Sequence, residues 1–218
     1  MEDVQFFDRK QPYAVAWKTL PHWAQAGTVC FITWRTGDSL PAAAERRITR
    51  QRADALGRLG LPATGDWHAE LVKLPPNERG RAHWSLFSVL DCELDHHFGE
   101  CVLARPECSR IVEQSLLHFD GERYALTDFV VMPNHVHVLV AFRDEDALVV
   151  QCESWKRYTA RQIQKTLGRS GEFWQVEQFD HLVRGAEQFE YFRRYIAENP
   201  EKAGLLPGQF RWYSKGLE

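Results

Sequence analysis

Apolar residues recur along this chain with two different periods, and the switches between them mark out its elements. Gly27 to Arg35 (GTVCFITWR) is β-branched and aromatic and predicts a strand. Leu40 to Leu59, rich in Ala and Arg, predicts a helix closed by Gly60-Leu61-Pro62. From Pro62 to Pro106 the pattern is irregular. Pro75-Pro76-Asn77-Glu78-Arg79-Gly80 signals turns, and a short helix is expected near Trp84 to His96. Glu107 to Phe119 then sets Ile111, Val112, Leu116 and Leu117 at helical spacing. Tyr124 to Val131 and His135 to Phe142 predict two strands, joined through Pro133-Asn134 into a hairpin. Asp146 to Leu167 predicts a helix carrying Trp155, Tyr158, Ile163 and Leu167, with Gly168 where a C-cap belongs. An extended FWQVEQFDHLV segment follows. A last helix runs from Ala186 to Glu198, and Pro200 is expected to stop it because Asn199 precedes a proline.

Strand, helix, hairpin, helix is the order of a split β-α-β sheet, with helices expected on one face. The fold class is therefore α+β, a compact sandwich in a single domain spanning residues 1–218. The stretch from about Gly37 to Glu100 reads as an elaboration of that domain, since no clear linker bounds it.

Composition excludes more than it selects. The chain has 218 residues, 44% hydrophobic and 26% charged, enough to bury a core of ordinary globular type. Its five cysteines form no C-x-x-C pair, so neither a disulfide framework nor a thiolate zinc site follows, and a reducing cytosol is expected. No secretory leader or bilayer-spanning apolar run is evident, so a cytoplasmic protein without a membrane partner is expected. A net charge of −3 argues mildly against nucleic acid, but the distribution matters more than the total. Lys156, Arg157, Arg161, Lys165 and Arg169 form a stretch without an acid, suited to holding phosphates. Arg46, Arg47, Arg50, Arg52 and Arg58 make a second basic run, diluted by Glu45 and Asp54. A basic helix standing alone is more often a solvated face than a binding surface.

The chemistry concentrates in two places. In Asn134-His135-Val136-His137 the histidines are two apart on a strand, so both imidazoles share one face while Val136 turns to the other. Two such imidazoles can hold a divalent cation and leave positions open for substrate oxygen. The second place is RRYIAENP, where Tyr195 and Asn199 are four apart and share one helix face. A phenol near a bound cation can act as a nucleophile, and the amide oxygen can complete the ligand set. Tyr158 and Tyr191 also lie on helices after the histidines and compete for the nucleophile's role. No Gly-rich phosphate loop of either standard form is present, so no nucleotide cofactor is expected.

MPNHVHVLV followed by YIAENPEKAGL resembles the REP-associated branch of the HUH single-tyrosine transposases. The intervening SWKRYTARQIQKTLGRSGEFWQ and FDHLVRGAEQFEYFRRYI agree in character, and the terminal FRWYS is similar to the family's closing aromatic motif. The likeness covers Tyr124 to Ser214 and extends to the Gly27 to Arg35 strand, leaving Gly37 to Glu100 unexplained. It implies the HUH endonuclease fold, a ferredoxin-like split β-α-β sandwich with an antiparallel sheet. It implies Mg²⁺ or Mn²⁺ on His135, His137 and Asn199, and Tyr195 as the nucleophile forming a 5′-phosphotyrosine. Lys156, Arg157, Arg161, Lys165 and Arg169 would then bind DNA. The implied partner is single-stranded DNA with a hairpin or palindromic repeat, met by a monomer or homodimer. The alternative is a non-catalytic nucleic-acid-binding protein that retains the fold.

Overall fold

The computed structural model describes residues 5–17, 21–63 and 67–216. In chain order the elements are β1 (Ala14–Trp17), β2 (Pro21–Ala24), β3 (Val29–Arg35), α1 (Ala42–Arg58), α2 (Trp67–Lys73) and α3 (Pro76–Leu94). A 3-10 turn (Val102–Ala104) leads to α4 (Pro106–Leu117), β4 (Tyr124–Val131), β5 (His135–Phe142), α5 (Ala147–Thr166), β6 (Phe179–Leu182), α6 (Ala186–Lys202) and β7 (Arg211–Ser214). The chain divides into two compact units, Asp38–Glu100 and the remainder.

The remainder is built on a five-stranded sheet of order β6-β3-β5-β4-β7, with every neighbouring pair antiparallel. Between β3 and β4 the chain passes through α4 and returns on the far side of β5. Between β5 and β6 it passes through α5 and returns on the far side of β3. These are two interlocked split β-α-β units, so the expected ferredoxin-like α+β sandwich is the fold observed. The β4–β5 hairpin has the expected bounds, with one register shift between Leu126 and Asp128.

Period-two alternation sorts the strands between two faces. Val136, Val138, Val140 and Phe142 of β5 join Cys30, Ile32 and Trp34 of β3 under α4 and α5. From the helices come Cys108, Val112, Leu116, Leu148, Cys152, Trp155 and Ile163, at helical spacing. Trp155 lies parallel to Trp34 at 5.9 Å and edge-on to Tyr124 at 5.0 Å. The opposite face is covered too, by α6, whose Phe192 stacks on Phe31 at 4.4 Å. Helices on one face were expected, and that holds for the two crossover helices only. The third belongs to neither crossover and buries the second apolar face.

Gly168 has φ +63° and closes α5 as expected. Its N–H donates to the Lys165 carbonyl at 3.2 Å, and that of Arg169 to Gln164 at 2.8 Å, a Schellman closure. The end of α6 departs from expectation. Pro200 lies inside the helix, which continues to Lys202. Proline removes one N–H but leaves later turns able to bond. The stop comes at Gly204, φ +67°, where the same closure recurs through Gly204 N to Glu201 O and Leu205 N to Pro200 O, both 2.9 Å.

The hairpin β1–β2 was not anticipated from the sequence. His22 of β2 is buried against the Asp180 carboxylate of β6, and Trp23 N donates to the same carboxylate at 3.3 Å. Burial pushes the Asp180 carboxyl up, and the His22 hydrogen bond opposes that shift.

The Asp38–Glu100 unit is helical throughout its elements. The turn signals at Pro75–Gly80 open α3 instead of interrupting the chain, because a proline at the first helical position costs no hydrogen bond. Leu40, Ala44, Ile48 and Leu94 form one cluster, and Ala55, Leu56, Leu71, Ala82 and Leu86 another. Arg47 pairs with Glu93 through two hydrogen bonds of 2.8 and 2.6 Å. The Arg52 guanidinium lies 5.6 Å from the Trp67 ring centre. Two members of the second basic run are thus engaged within this unit. Among the described residues, no helix is long and apolar enough to cross a membrane.

Tyr124 is a sharp test of the sheet–helix packing. Its buried hydroxyl donates to the Leu116 carbonyl at 2.7 Å and accepts from Trp155 Nε1 at 3.2 Å. Tyr124→Phe strands a carbonyl and an indole N–H, and should lower unfolding free energy by about 1–3 kcal/mol in urea titration.

Candidate active site

The face under α6 carries the polar chemistry. His135 and His137 of β5 are fully buried, and a ring nitrogen of each lies within 4.8 Å of the other's. Their rings meet edge-on with centres 4.7 Å apart. Each Nδ1 has its own partner. Asn134 Oδ1 accepts from His135 Nδ1 at 2.8 Å, which holds the orientation of the ring. Thr33, the cross-strand neighbour of His137, places Oγ1 2.7 Å from His137 Nδ1. These are the supporting contacts that metal-binding histidines need, holding ring orientation while Nε2 takes a cation. Burial drives the His137 pKa down from 6.5 to about 3, so the ring is the neutral base that coordination requires.

Helix α6 brings the second motif to the same place. Phe31 lies parallel to His137 at 5.5 Å and to Phe192 at 4.4 Å, and carries Tyr195 edge-on at 5.8 Å. Tyr195, half-buried, stands edge-on to His137 at 5.3 Å. One turn later Asn199 is buried, with Nδ2 3.5 Å from His137 Nε2. Its Oδ1 has no hydrogen-bond partner among the described residues. A buried amide oxygen without a donor beside the neutral His137 and its strand neighbour His135 is a donor set that fits a hard or borderline divalent cation. The other flank of α6 is pinned by Arg193, whose guanidinium donates to Asp128 at 3.1 Å and to Ser214 Oγ at 3.0 Å.

His135, His137, Tyr195 and Asn199 therefore meet on one face. Tyr191 is exposed one turn before Tyr195, its ring roughly parallel at 6.4 Å. Tyr158 is elsewhere. It is exposed on α5, which packs against the opposite face of the sheet. Arg157, Arg161 and Lys165 follow one another at single-turn spacing on the solvent side of α5 and are exposed. Lys156 is half-buried and donates to the Val176 carbonyl at 2.6 Å, and Arg169 lies just past the helix end. The basic stripe and the histidine pair thus occupy opposite sides of the sheet. The sequence reading missed Thr33 and the orienting role of Asn134. Asn134 was legible as the neighbour of His135, whereas Thr33 depends on strand register.

Residues 105–199 match a protein-family model described as Transposase IS200 like. The matched span holds both histidines, Tyr158, Tyr191 and Tyr195, and ends on Asn199. No protein of curated function matches the chain. A solved structure of the REP-associated tyrosine transposase bound to a REP hairpin is 14% identical, over 85% of this chain and 73% of that chain, with a TM-score of 0.43.

Burial of His137 has a measurable signature. Its folded pKa of about 3 lies below the unfolded value of 6.5. Above 6.5 both states hold it neutral and it contributes no pH dependence. Below that, the unfolded chain takes up a proton that the folded chain refuses, so stability falls by up to about 1.4 kcal/mol per pH unit until the folded pKa is reached. Chemical denaturation in EDTA between pH 7 and 4 should show this slope, and His137→Gln should flatten it. An unchanged slope in the variant would show that His137 titrates normally.

Proposed function

We propose that this chain, which is similar to the IS200-like transposases over residues 105–199, is a metal-dependent single-stranded DNA nickase and strand transferase that uses Tyr195 as its nucleophile. The observation that carries this reading is the meeting of a half-buried phenol, two buried imidazoles and an undonated amide oxygen on one face of the sheet. The residues come from β5 and α6, elements far apart in sequence, and no packing need of an apolar core explains burying His135, His137 and Asn199 together beside a half-buried phenol.

In the reaction, the Tyr195 hydroxyl oxygen attacks the scissile phosphorus. The P–O3′ bond breaks, leaving a 5′-phosphotyrosine and a free 3′-hydroxyl. Attack by a 3′-hydroxyl on that linkage later reverses the step and joins strands. The phosphodiester energy is held in the covalent bond, so no nucleotide is consumed. His135, His137 and Asn199 would hold Mg²⁺ or Mn²⁺, which supplies charge neutralisation at the scissile phosphate. Thr33 and Asn134 hold the two imidazoles in register, and Phe31 sets the distance between His137 and Tyr195. Tyr158, across the sheet, has no part in the chemistry.

The substrate class is single-stranded DNA with a hairpin or palindromic repeat, as the family resemblance implies. Arg157, Arg161 and Lys165 lie on the solvent side of α5, suited to gripping phosphates of a strand that passes round the sheet edge. Arg157→Ala/Arg161→Ala/Lys165→Ala should lower affinity for hairpin DNA and reduce the salt slope of binding by about two. An unchanged slope would place the grip elsewhere.

The decisive test mixes the protein with end-labelled hairpin DNA and Mn²⁺ and reads a covalent adduct on a denaturing gel. A band that EDTA abolishes, that Tyr195→Phe and His137→Ala both lose, and that Tyr158→Phe keeps is the expected result. Tight binding without any adduct would favour the non-catalytic reading. An adduct surviving Tyr195→Phe would move the nucleophile to Tyr191.

A further inference from the structure

The continuation of α6 through Pro200 has a chemical consequence. Tyr191, Tyr195, Glu198, Asn199 and Lys202 recur at three- and four-residue steps, so all five lie along one stripe of the helix. Had the helix ended at the proline, Lys202 would have left that stripe. Instead the Gly204 closure holds the last turn, with Ala203 N bonded to the Asn199 carbonyl at 3.0 Å. The Lys202 ammonium lies 5.7 Å from the Tyr195 ring centre, where Glu198 Oε2 accepts from it at 3.0 Å.

We propose that Lys202 is a catalytic residue whose ammonium contacts the scissile phosphate and the phosphotyrosine formed from it. This rests on the reading of Tyr195 as nucleophile. A phosphate bonded to the phenol oxygen comes within reach of the three ammonium protons, which can rotate onto its non-bridging oxygens. As the Tyr195 Oη–P bond forms and the P–O3′ bond breaks, negative charge gathers on those oxygens. The phenol proton passes to water, the departing 3′ oxygen takes one from water, and Lys202 keeps its own. A fixed cation aimed at that charge stabilises the transition state more than the ground state. Glu198 holds the ammonium in place until the stronger anion arrives. A lysine in the last turn of a helix also complements the helix dipole, but that contribution would change stability and leave the chemical rate alone.

The full-length protein is tested by single-turnover adduct formation at saturating hairpin DNA with Mn²⁺, alongside DNA affinity and thermal melting. Lys202→Gln should slow adduct formation about 10- to 100-fold at saturation. Affinity should change by less than about threefold, and Lys202→Arg should recover most of the rate because it keeps the charge. A Lys202→Gln rate within about twofold of the wild type, or a loss confined to affinity, overturns the proposal. If Lys202→Gln melts early, Lys202→Met, which keeps the aliphatic stem and removes the charge, is assayed in its place at a temperature where it is folded. A rate within about twofold of the wild type overturns the proposal. A wild type that forms no adduct removes the premise and the proposal together, whereas an active wild type beside an equally active Lys202→Gln removes the proposal alone.

Discussion

The centre of the sheet has no solvent side. Strand β5 lies between β3 and β4 and is covered on one face by α4 and α5 and on the other by α6, so every second residue must serve a different layer. Val136, Val138 and Val140 fill the apolar layer. His135 and His137, interleaved with them, are buried just as completely on the other face. Burying an imidazole is costly unless its N–H is satisfied. Asn134 and Thr33 meet that need at each Nδ1, and both do so through positions the strand dictates, one sequence neighbour and one cross-strand neighbour. The same burial holds His137 neutral.

The second constraint is the seating of α6. Phe31 contacts three side chains of the site at once, with Phe192 and His137 parallel to its ring and Tyr195 at its edge. Arg193, two residues before Tyr195, points to the other flank and is tied to Asp128 and Ser214. One flank sets how deep the helix sits and the other sets its rotation. Together they aim the Tyr195 and Asn199 stripe at the histidines. The persistence of the helix through Pro200 extends the stripe by a turn, so a residue that would have been a loop lysine stands beside the phenol.

Charge follows the same division by faces. The exposed basic stripe belongs to the layer of α5, while the histidine pair belongs to the layer of α6. A near-neutral chain can still present a concentrated positive surface, because the basic residues of α5 recur with the period of the helix and no acid falls between Lys156 and Arg169. The arginines of the other basic run show the opposite fate. Arg47 and Arg52 are taken up by Glu93 and Trp67 within their own helical unit. Composition treats both runs alike, and only their partners distinguish them.

How much was legible in advance follows from the range of each interaction. The hairpin β4–β5, the helix α5 with its Gly168 cap, and the shared strand face of His135 and His137 are local. They depend on side-chain period and on glycine's access to positive φ, and the chain alone determined them to within a residue or two. The same is true of Tyr195 and Asn199 sharing a helix face. Tertiary structure decided the rest. Pro200 sits inside α6 where the local preference says stop: Asn199 and Pro200 are buried, the proline removes only its own N–H, and the turn beyond it is still closed by Ala203 N to Asn199 O and Leu205 N to Pro200 O. The hairpin β1–β2 depends on a buried partner 158 residues away, the Asp180 carboxylate against His22. Tyr158 and Tyr195 look equivalent along the chain, and the sheet puts them on opposite sides, since which face a helix covers is set by the strand order and not by the helix's own residues.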